Sequence, residues 1–242
     1  MSFFSKKIKQ EKIEDNAPIF SLSFIIGIPV FFFLSVAIFS ISLHYSFEDI
    51  ENLYRSSLFF CSFLLGIKIF SNLKSKWLKT FIHEYKHAIA VILTGGSIKK
   101  IEVGEGEGKV EYSIQKNKLY RAHFIKLAPY YFPLCSLPLL IYMFFLSSDQ
   151  IDILIIPFGL LSGLDWSTGY GEFAPYQSDI KKTLGGKYGA AMFIFSITLF
   201  WLSFYILFSI SHHSIINILA AAFMEIVNYI IELYFNNNLK IN

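Results

Sequence analysis

The chain has 242 residues, of which 54% are hydrophobic, 18% are aromatic and only 16% are charged. A soluble domain of this size carries about 25% charged residues, so the composition excludes an ordinary soluble protein and predicts a polytopic membrane protein. The formal net charge of +3 is small, and the lysines cluster between apolar runs as membrane-flanking residues do, so no nucleic-acid partner is expected.

The beginning of the chain predicts a polar tail followed by two membrane segments. Residues 1–16 are polar and rich in lysine. The apolar run at 18–43 is long enough to cross a bilayer with tilt. It lacks the small-residue cleavage site of a signal peptide, so we interpret it as a retained span. A shorter apolar run at 57–70 follows a polar loop.

The most informative stretch is His83-Glu84-Tyr85-Lys86-His87, which has the pattern HExxH. It lies in a predicted helix at 77–94, which Gly95 and Gly96 end as a C-cap. On a helix, His83 and His87 are one turn apart and point to the same side, so their imidazoles can hold one zinc ion. Glu84 would then lie beside the metal as a general base for water.

A non-helical region follows the HExxH helix. Ile101 and Val103 alternate with charged residues, and so do Val110 and Tyr112. The turn-forming sequence at 104–108, Gly-Glu-Gly-Glu-Gly, separates the two alternating stretches. This pattern predicts a small β-hairpin, because alternation with a period of two is typical of half-buried strands.

The rest of the chain contains four further apolar runs, at 124–146, 151–164, 189–210 and 215–235. The sequence therefore predicts an all-α polytopic membrane protein of about six helical segments, with a β-hairpin after the HExxH helix. We expect one membrane domain at 17–242, with a core at about 77–165 that contains HExxH and additional spans at 18–43, 57–70, 189–210 and 215–235.

A catalytic zinc site usually has three protein ligands and one open position, so a third ligand is needed. Acidic residues in or at the ends of apolar runs are the candidates, because a carboxylate is costly there without a partner. Asp165 ends the run at 151–164, and small residues just before it favour close helix packing. The alternatives are Asp179 and Glu172 in the following polar loop, and Glu225 in the last run.

Several of these stretches together resemble a known family. His83-Glu84-Tyr85-Lys86-His87-Ala88 is followed by Leu93-Thr94-Gly95-Gly96, by the strand region and by Leu127-Ala128-Pro129-Tyr130. This order is similar to that of the site-2 protease class of membrane-embedded zinc metallopeptidases, from about residue 77 to 165. The resemblance implies His83 and His87 as zinc ligands, Glu84 as general base and Asp165 as third ligand.

The chain also departs from the pattern of that class. Trp166 stands where the class has glycine after the aspartate, and the Asn-x-x-Pro that usually precedes the Leu-Asp is absent. Lys86 occupies a position of HExxH that is normally uncharged. On a helix it projects away from the two histidines, so it must find water or an anionic partner.

The predicted function is hydrolysis of peptide bonds in membrane-associated proteins by an intramembrane zinc metallopeptidase, whose partners are a membrane protein or peptide substrate and the lipid bilayer. One alternative is a catalytically silent membrane scaffold or regulator that retains the peptidase fold. A transporter with an incidental HExxH would require more charged residues at mid-span than Glu225 and Glu232.

Lysine and arginine clusters predict the orientation of the protein in its membrane. The basic segments at 74–79, 99–126 and 181–187 are expected on the cytoplasmic side together with both termini. This arrangement puts the histidines near the cytoplasmic face. The membrane is predicted to be the bacterial cytoplasmic (inner) membrane.

Overall fold

The computed structural model describes residues 22–72, 74–114, 120–146, 148–170, 178–181, 186–211 and Met224. This part of the chain is mostly helical, with one two-stranded antiparallel hairpin directly after the HExxH helix, so the predicted fold class is confirmed. In chain order, the elements are α1 (Leu22–Ser46), α2 (Ile50–Ser71), α3 (Lys76–Leu93), β1 (Ser97–Val103), β2 (Gly108–Ser113), α4 (Tyr120–Tyr131), α5 (Leu137–Met143), α6 (Ser148–Tyr170), α7 (Ser178–Lys181) and α8 (Gly186–Ser211).

Four helices of the described ranges are long and apolar enough to cross a membrane. These candidate membrane spans are Gly27–Ser46, Ile50–Ser71, Gln150–Tyr170 and Tyr188–Ile210. The HExxH helix α3 is not among them, because it carries too many charged side chains. The predicted tail at 1–16 lies outside the described residues. So does the predicted span at 215–235, apart from Met224.

Two spans are longer than their apolar runs predict. The runs at 57–70 and 151–164 lie within α2 and α6, which both begin earlier in polar sequence. There the Arg55 side chain pairs with Glu51 at 2.8 Å and with Asp152 of α6 at 2.9 Å. It also donates to the Ile210 carbonyl oxygen at the end of α8. Paired charges of this kind are tolerated at helix ends, so hydrophobicity alone underestimates the length of these helices.

The apolar run at 124–146 does not form one helix. It is divided into α4 and α5 by a break at residues 132–136. Proline explains the break, because Pro133 has no N–H to donate to the Pro129 carbonyl oxygen one turn earlier. Pro138 then lies in the first turn of α5, where proline is well tolerated.

Helices α2 and α6 pack with their backbones in close contact, and glycine allows this approach. A Cβ atom added to Gly163 of α6 would lie 2.5 Å from the Phe63 carbonyl oxygen and 2.6 Å from the Ile67 nitrogen. Gly159, one turn earlier, faces Phe59 and Ser62 in the same way. Small residues spaced by four are typical of tightly packed membrane helices, where van der Waals contact drives association.

We expect Gly163→Ala to lower the free energy of unfolding by about 1–3 kcal/mol, because the new methyl group meets backbone atoms that cannot move aside. Denaturant or thermal unfolding of the detergent-solubilised protein measures this change. Gly27→Ala is the matched control, since nothing lies within 4 Å of a Cβ atom at that position. Equal stability of the two variants would contradict the packing argument.

Candidate metal centre

The HExxH motif lies in the middle of α3, which is capped at both ends; only the cap at Gly95 and Gly96 was predicted from the sequence. The Ser75 side chain accepts a hydrogen bond from the Leu78 N–H at the start. At the end, Gly95 has φ of 72°, and the Gly95 and Gly96 N–H groups donate to carbonyl oxygens of the last turn. The His83 and His87 rings lie on one side of the helix, with their centroids 5.0 Å apart.

The tautomer of His87 is fixed by the backbone of α4. Nδ1 of His87 lies 2.8 Å from the Ile125 carbonyl oxygen. A carbonyl oxygen can only accept, so Nδ1 carries the proton and Nε2 keeps its lone pair. Histidine ligands of metals are held in this way, with one ring nitrogen donating and the other free to bind the metal.

A third donor reaches the two histidines from α7. The Asp179 Oδ2 atom lies 3.9 Å from Nε2 of His83 and 3.6 Å from Nε2 of His87. One donor atom from each of these residues can be chosen so that all three lie within 4.8 Å of one another. Ligand atoms around a tetrahedral zinc are roughly 3.3–3.5 Å apart, so a small inward movement of these side chains gives the expected spacing.

The charge state of Asp179 also suits a metal. Burial of the carboxyl group opposes ionisation, but the His83 and His87 rings outweigh this effect when they are protonated and no metal is bound, by donating hydrogen bonds and carrying positive charge. As a result, the pKa of Asp179 lies well below its usual range. Asp179 is therefore ionised at neutral pH, and a hard anionic oxygen beside two imidazoles is a donor set that zinc accepts.

Asp165, the third ligand that the resemblance implies, has its carboxylate elsewhere. Both of its oxygens accept from the Cys135 N–H at 3.0 Å, and Oδ2 accepts from the Ser136 N–H and hydroxyl at 2.8 Å each. These donors lie in the break between α4 and α5. Among the described residues, the side chains that could hold a metal ion together are His83, His87 and Asp179. Asp165 is not part of this group.

The anionic partner of Lys86 is Asp165, beside the break between α4 and α5. Its side chain is 1% exposed, and Nζ lies 3.4 Å from Oδ1 of Asp165. The ammonium group also donates to the backbone oxygen of Asp165 at 3.1 Å and to that of Pro129 at 3.4 Å. The unusual residue of the motif is therefore neutralised inside the protein, away from the metal-ligating nitrogens.

Glu84 lies under the hairpin. Its side chain is 7% exposed, and a Cβ atom added to Gly108 at the start of β2 would lie 2.4 Å from its Cγ and 2.7 Å from its Oε1. Thr80, one turn earlier on α3, would be 2.7 Å from the same point. Only glycine allows the strand to lie this close to the carboxylate. Sequence reasoning attributed the glycines at 104–108 to the turn alone and missed this contact.

The other two candidate ligands, Glu172 and Glu225, lie outside the described residues. The signal that favours Asp179 is weak in the sequence, because that residue stands in a polar loop without periodicity. Asp179 lies near the two histidines only in the folded chain.

Comparison with protein families agrees with this geometry. The family described as Peptidase M50B-like matches residues 58–164, which include most of α2, all of α3, the hairpin, α4 and α5, and most of α6. The match supports the resemblance of this region to the site-2 protease class that HExxH and its context predicted. Peptidases of this family are metallopeptidases, generally zinc-dependent. Together with the four apolar helices, the match supports an integral membrane protein.

Comparison with curated proteins gives no match, and comparison with solved structures gives none either. The matched region ends just before Asp165 and does not include Asp179. The match therefore covers the HExxH motif, while neither candidate for the third ligand falls within it.

We expect Gly108→Ala to loosen the hairpin from α3, because its methyl group would overlap Glu84 and Thr80. The free energy of opening the hairpin should fall by about 1–3 kcal/mol. Amide hydrogen exchange of β1 and β2 measures this change as faster exchange. Glu105→Ala, an exposed change in the same turn, serves as the control. Unchanged exchange in Gly108→Ala would mean that the strand does not rest on Glu84.

Proposed function

We propose that the protein is an intramembrane zinc metallopeptidase that hydrolyses peptide bonds of membrane-associated proteins. The observation that carries the proposal is the convergence of His83, His87 and Asp179 beside Glu84, in a chain whose central region matches a metallopeptidase family. Three ligands leave one position of a tetrahedral metal open, as catalytic zinc sites require.

His83, His87 and Asp179 are the proposed zinc ligands. When bound, zinc polarises a peptide carbonyl and makes water more acidic. Asp179 replaces Asp165 in this proposal, because Asp179 reaches the histidines and the Asp165 carboxylate is occupied by Lys86 and two backbone N–H groups. The Ile125 carbonyl oxygen holds the His87 ring in the tautomer that ligation needs.

Glu84 is the proposed general base and acid. It follows His83 directly and is buried against Gly108, so its carboxylate is shielded from bulk water. In the proposed reaction, Glu84 takes a proton from the attacking water and later gives it to the leaving amine.

The hairpin is the proposed docking element for substrate. A peptide bond within a helix is shielded, so the substrate must be extended before cleavage. In the described part of the chain the sheet has only two strands, β1 and β2, which leaves edges for a third. An extended substrate can add to such an edge through backbone hydrogen bonds. The start of β2 at Gly108 lies on Glu84, so a strand added there runs past the catalytic group.

The proposed location is the bacterial cytoplasmic membrane, with the site near its cytoplasmic face. The lysine-rich segments that flank the spans support this orientation through the preference of basic residues for the cytoplasmic side. The helix α3 carries the motif without being one of the apolar spans, which agrees with a site close to one membrane surface.

Glu84→Gln should abolish cleavage while zinc stays bound, because the amide keeps the shape of the carboxylate and cannot accept the proton. A loss of roughly 10²–10⁴-fold in kcat is expected for a missing general base. The assay uses purified protein with a self-quenched fluorescent casein and with a single-span reporter protein in liposomes, and zinc is quantified by mass spectrometry. Glu105→Gln, an exposed carboxylate, is the matched control.

Wild-type turnover in Glu84→Gln would refute the mechanism. A wild-type protein that binds zinc but cleaves neither probe would favour the silent scaffold.

Asp179→Asn should weaken zinc binding by more than about 100-fold, since loss of a group that merely orients a ligand already costs 10–100-fold. Asp165→Asn, which breaks the ion pair with Lys86 without removing a proposed ligand, should weaken zinc binding less than Asp179→Asn does. Competition with a chromophoric chelator measures both affinities. The reverse pattern, with zinc lost from Asp165→Asn alone, would assign Asp165 as the ligand and refute Asp179.

A further inference from the structure

Lys86 is a charged residue within HExxH whose presence the proposed chemistry does not explain. It is almost completely buried one position before His87, and its partners come from outside its own helix. A buried ammonium that loses its anion costs several kcal/mol, so every partner of Lys86 constrains where α3 can lie.

Two helices supply these partners. The Pro129 carbonyl oxygen belongs to α4 and is left without its usual helical donor by Pro133. The remaining acceptors, the backbone and carboxylate oxygens of Asp165 and the hydroxyl of Thr168, belong to α6. Gly169 keeps the two helices close, since a Cβ atom there would lie 3.0 Å from the Pro129 oxygen.

The Asp165 carboxylate, like the Lys86 ammonium, is fixed by several hydrogen bonds. Asp165 accepts from the Cys135 and Ser136 N–H groups in the break between α4 and α5. The Ser136 hydroxyl is in turn 2.9 Å from the Tyr205 hydroxyl of α8. One ion pair thus connects α3 with the break, with α6 and, through Ser136, with α8.

We propose that Lys86 and Asp165 form a positioning pair that sets the rotation of α3, so that His83 and His87 face Asp179. The inference rests on the proposed function, because it concerns the ligands of that metal centre. Other contacts bind α3 to α4 and not to α6: Ala90 and Val91 belong to an apolar cluster with Ile125 and Ala128, and His87 donates to the Ile125 carbonyl oxygen. Metal–ligand distances tolerate errors of only about 0.2 Å, so a small rotation of α3 disturbs the site.

The pair also explains why Asp165 is unavailable to the metal. A buried ion pair contributes little net stability compared with an apolar pair of the same volume, so stability alone is a weak reason for it. Its specific effect here is to bind the α6 aspartate to a cation and leave the third ligand position to Asp179 of α7.

The test is Lys86→Met, which keeps the length of the side chain and removes its charge, with the exposed Lys76→Met on the same helix as matched control. The first measurement is the visible absorption of the protein loaded with Co(II), whose spectrum reports coordination geometry without requiring peptidase activity. We expect an altered spectrum for Lys86→Met and the wild-type spectrum for Lys76→Met.

The second measurement is kcat and KM for the fluorescent casein, with kcat expressed per bound zinc. Misplacement of catalytic groups by about 1 Å costs roughly 10²-fold, so Lys86→Met should lower kcat per zinc by about 10–100-fold with KM nearly unchanged. A purely structural role would lower only the folded fraction and leave both the spectrum and kcat per metal at wild-type values. That result would overturn the proposal.

If Lys86→Met does not fold, Lys86→Met combined with Asp165→Asn replaces it, since no buried charge is then left without a partner. A wild-type Co(II) spectrum in that variant would equally overturn the proposal. If wild-type protein cleaves no casein, the peptidase proposal fails separately, and the Co(II) spectra still decide whether Lys86 sets the geometry of the metal centre.

Discussion

A lysine ammonium placed between packed helices requires an anion and several hydrogen-bond acceptors, because the low dielectric of the interior makes an unpaired charge very costly. Lys86 meets this requirement with Asp165 and the Pro129 carbonyl oxygen. The arrangement of α3, α4 and α6 around the metal centre depends on this interaction. The histidines can face α7 only while the neighbouring residue of the motif stays with its partners on α4 and α6.

The elements of the protein contribute to the site in two ways. The long helices α2 and α6 pack backbone to backbone through glycines and form a firm support. Shorter elements around that support bring residues to the site. The four-residue α7 carries the proposed ligand Asp179, and the hairpin carries Gly108, which packs on Glu84. Rigid helices with short functional segments between them are a common way to hold a catalytic group and still admit a substrate.

The sequence predicted what depends on local patterns. Apolar runs predicted the four long helices of the described residues but not the division of 124–146 into α4 and α5. Period-two alternation predicted the hairpin, and the HExxH spacing with Gly95 predicted α3 and its paired histidines. The sequence could not decide between Asp165 and Asp179 as third ligand, because the choice depends on which side chains surround each carboxylate after folding. The Asp165 partners lie far away in the sequence, at Lys86 and at the N–H groups of the α4–α5 break. No periodicity encodes such contacts.

The missing N–H of Pro133 has a consequence for the place of Lys86 in the motif. The Pro129 carbonyl oxygen has no helical donor and accepts from the Lys86 ammonium instead, while α6 supplies the Asp165 carboxylate. A residue with an N–H at position 133 would compete with Lys86 for that oxygen. The break after α4 therefore ends a helix and at the same time provides an acceptor for a buried cation.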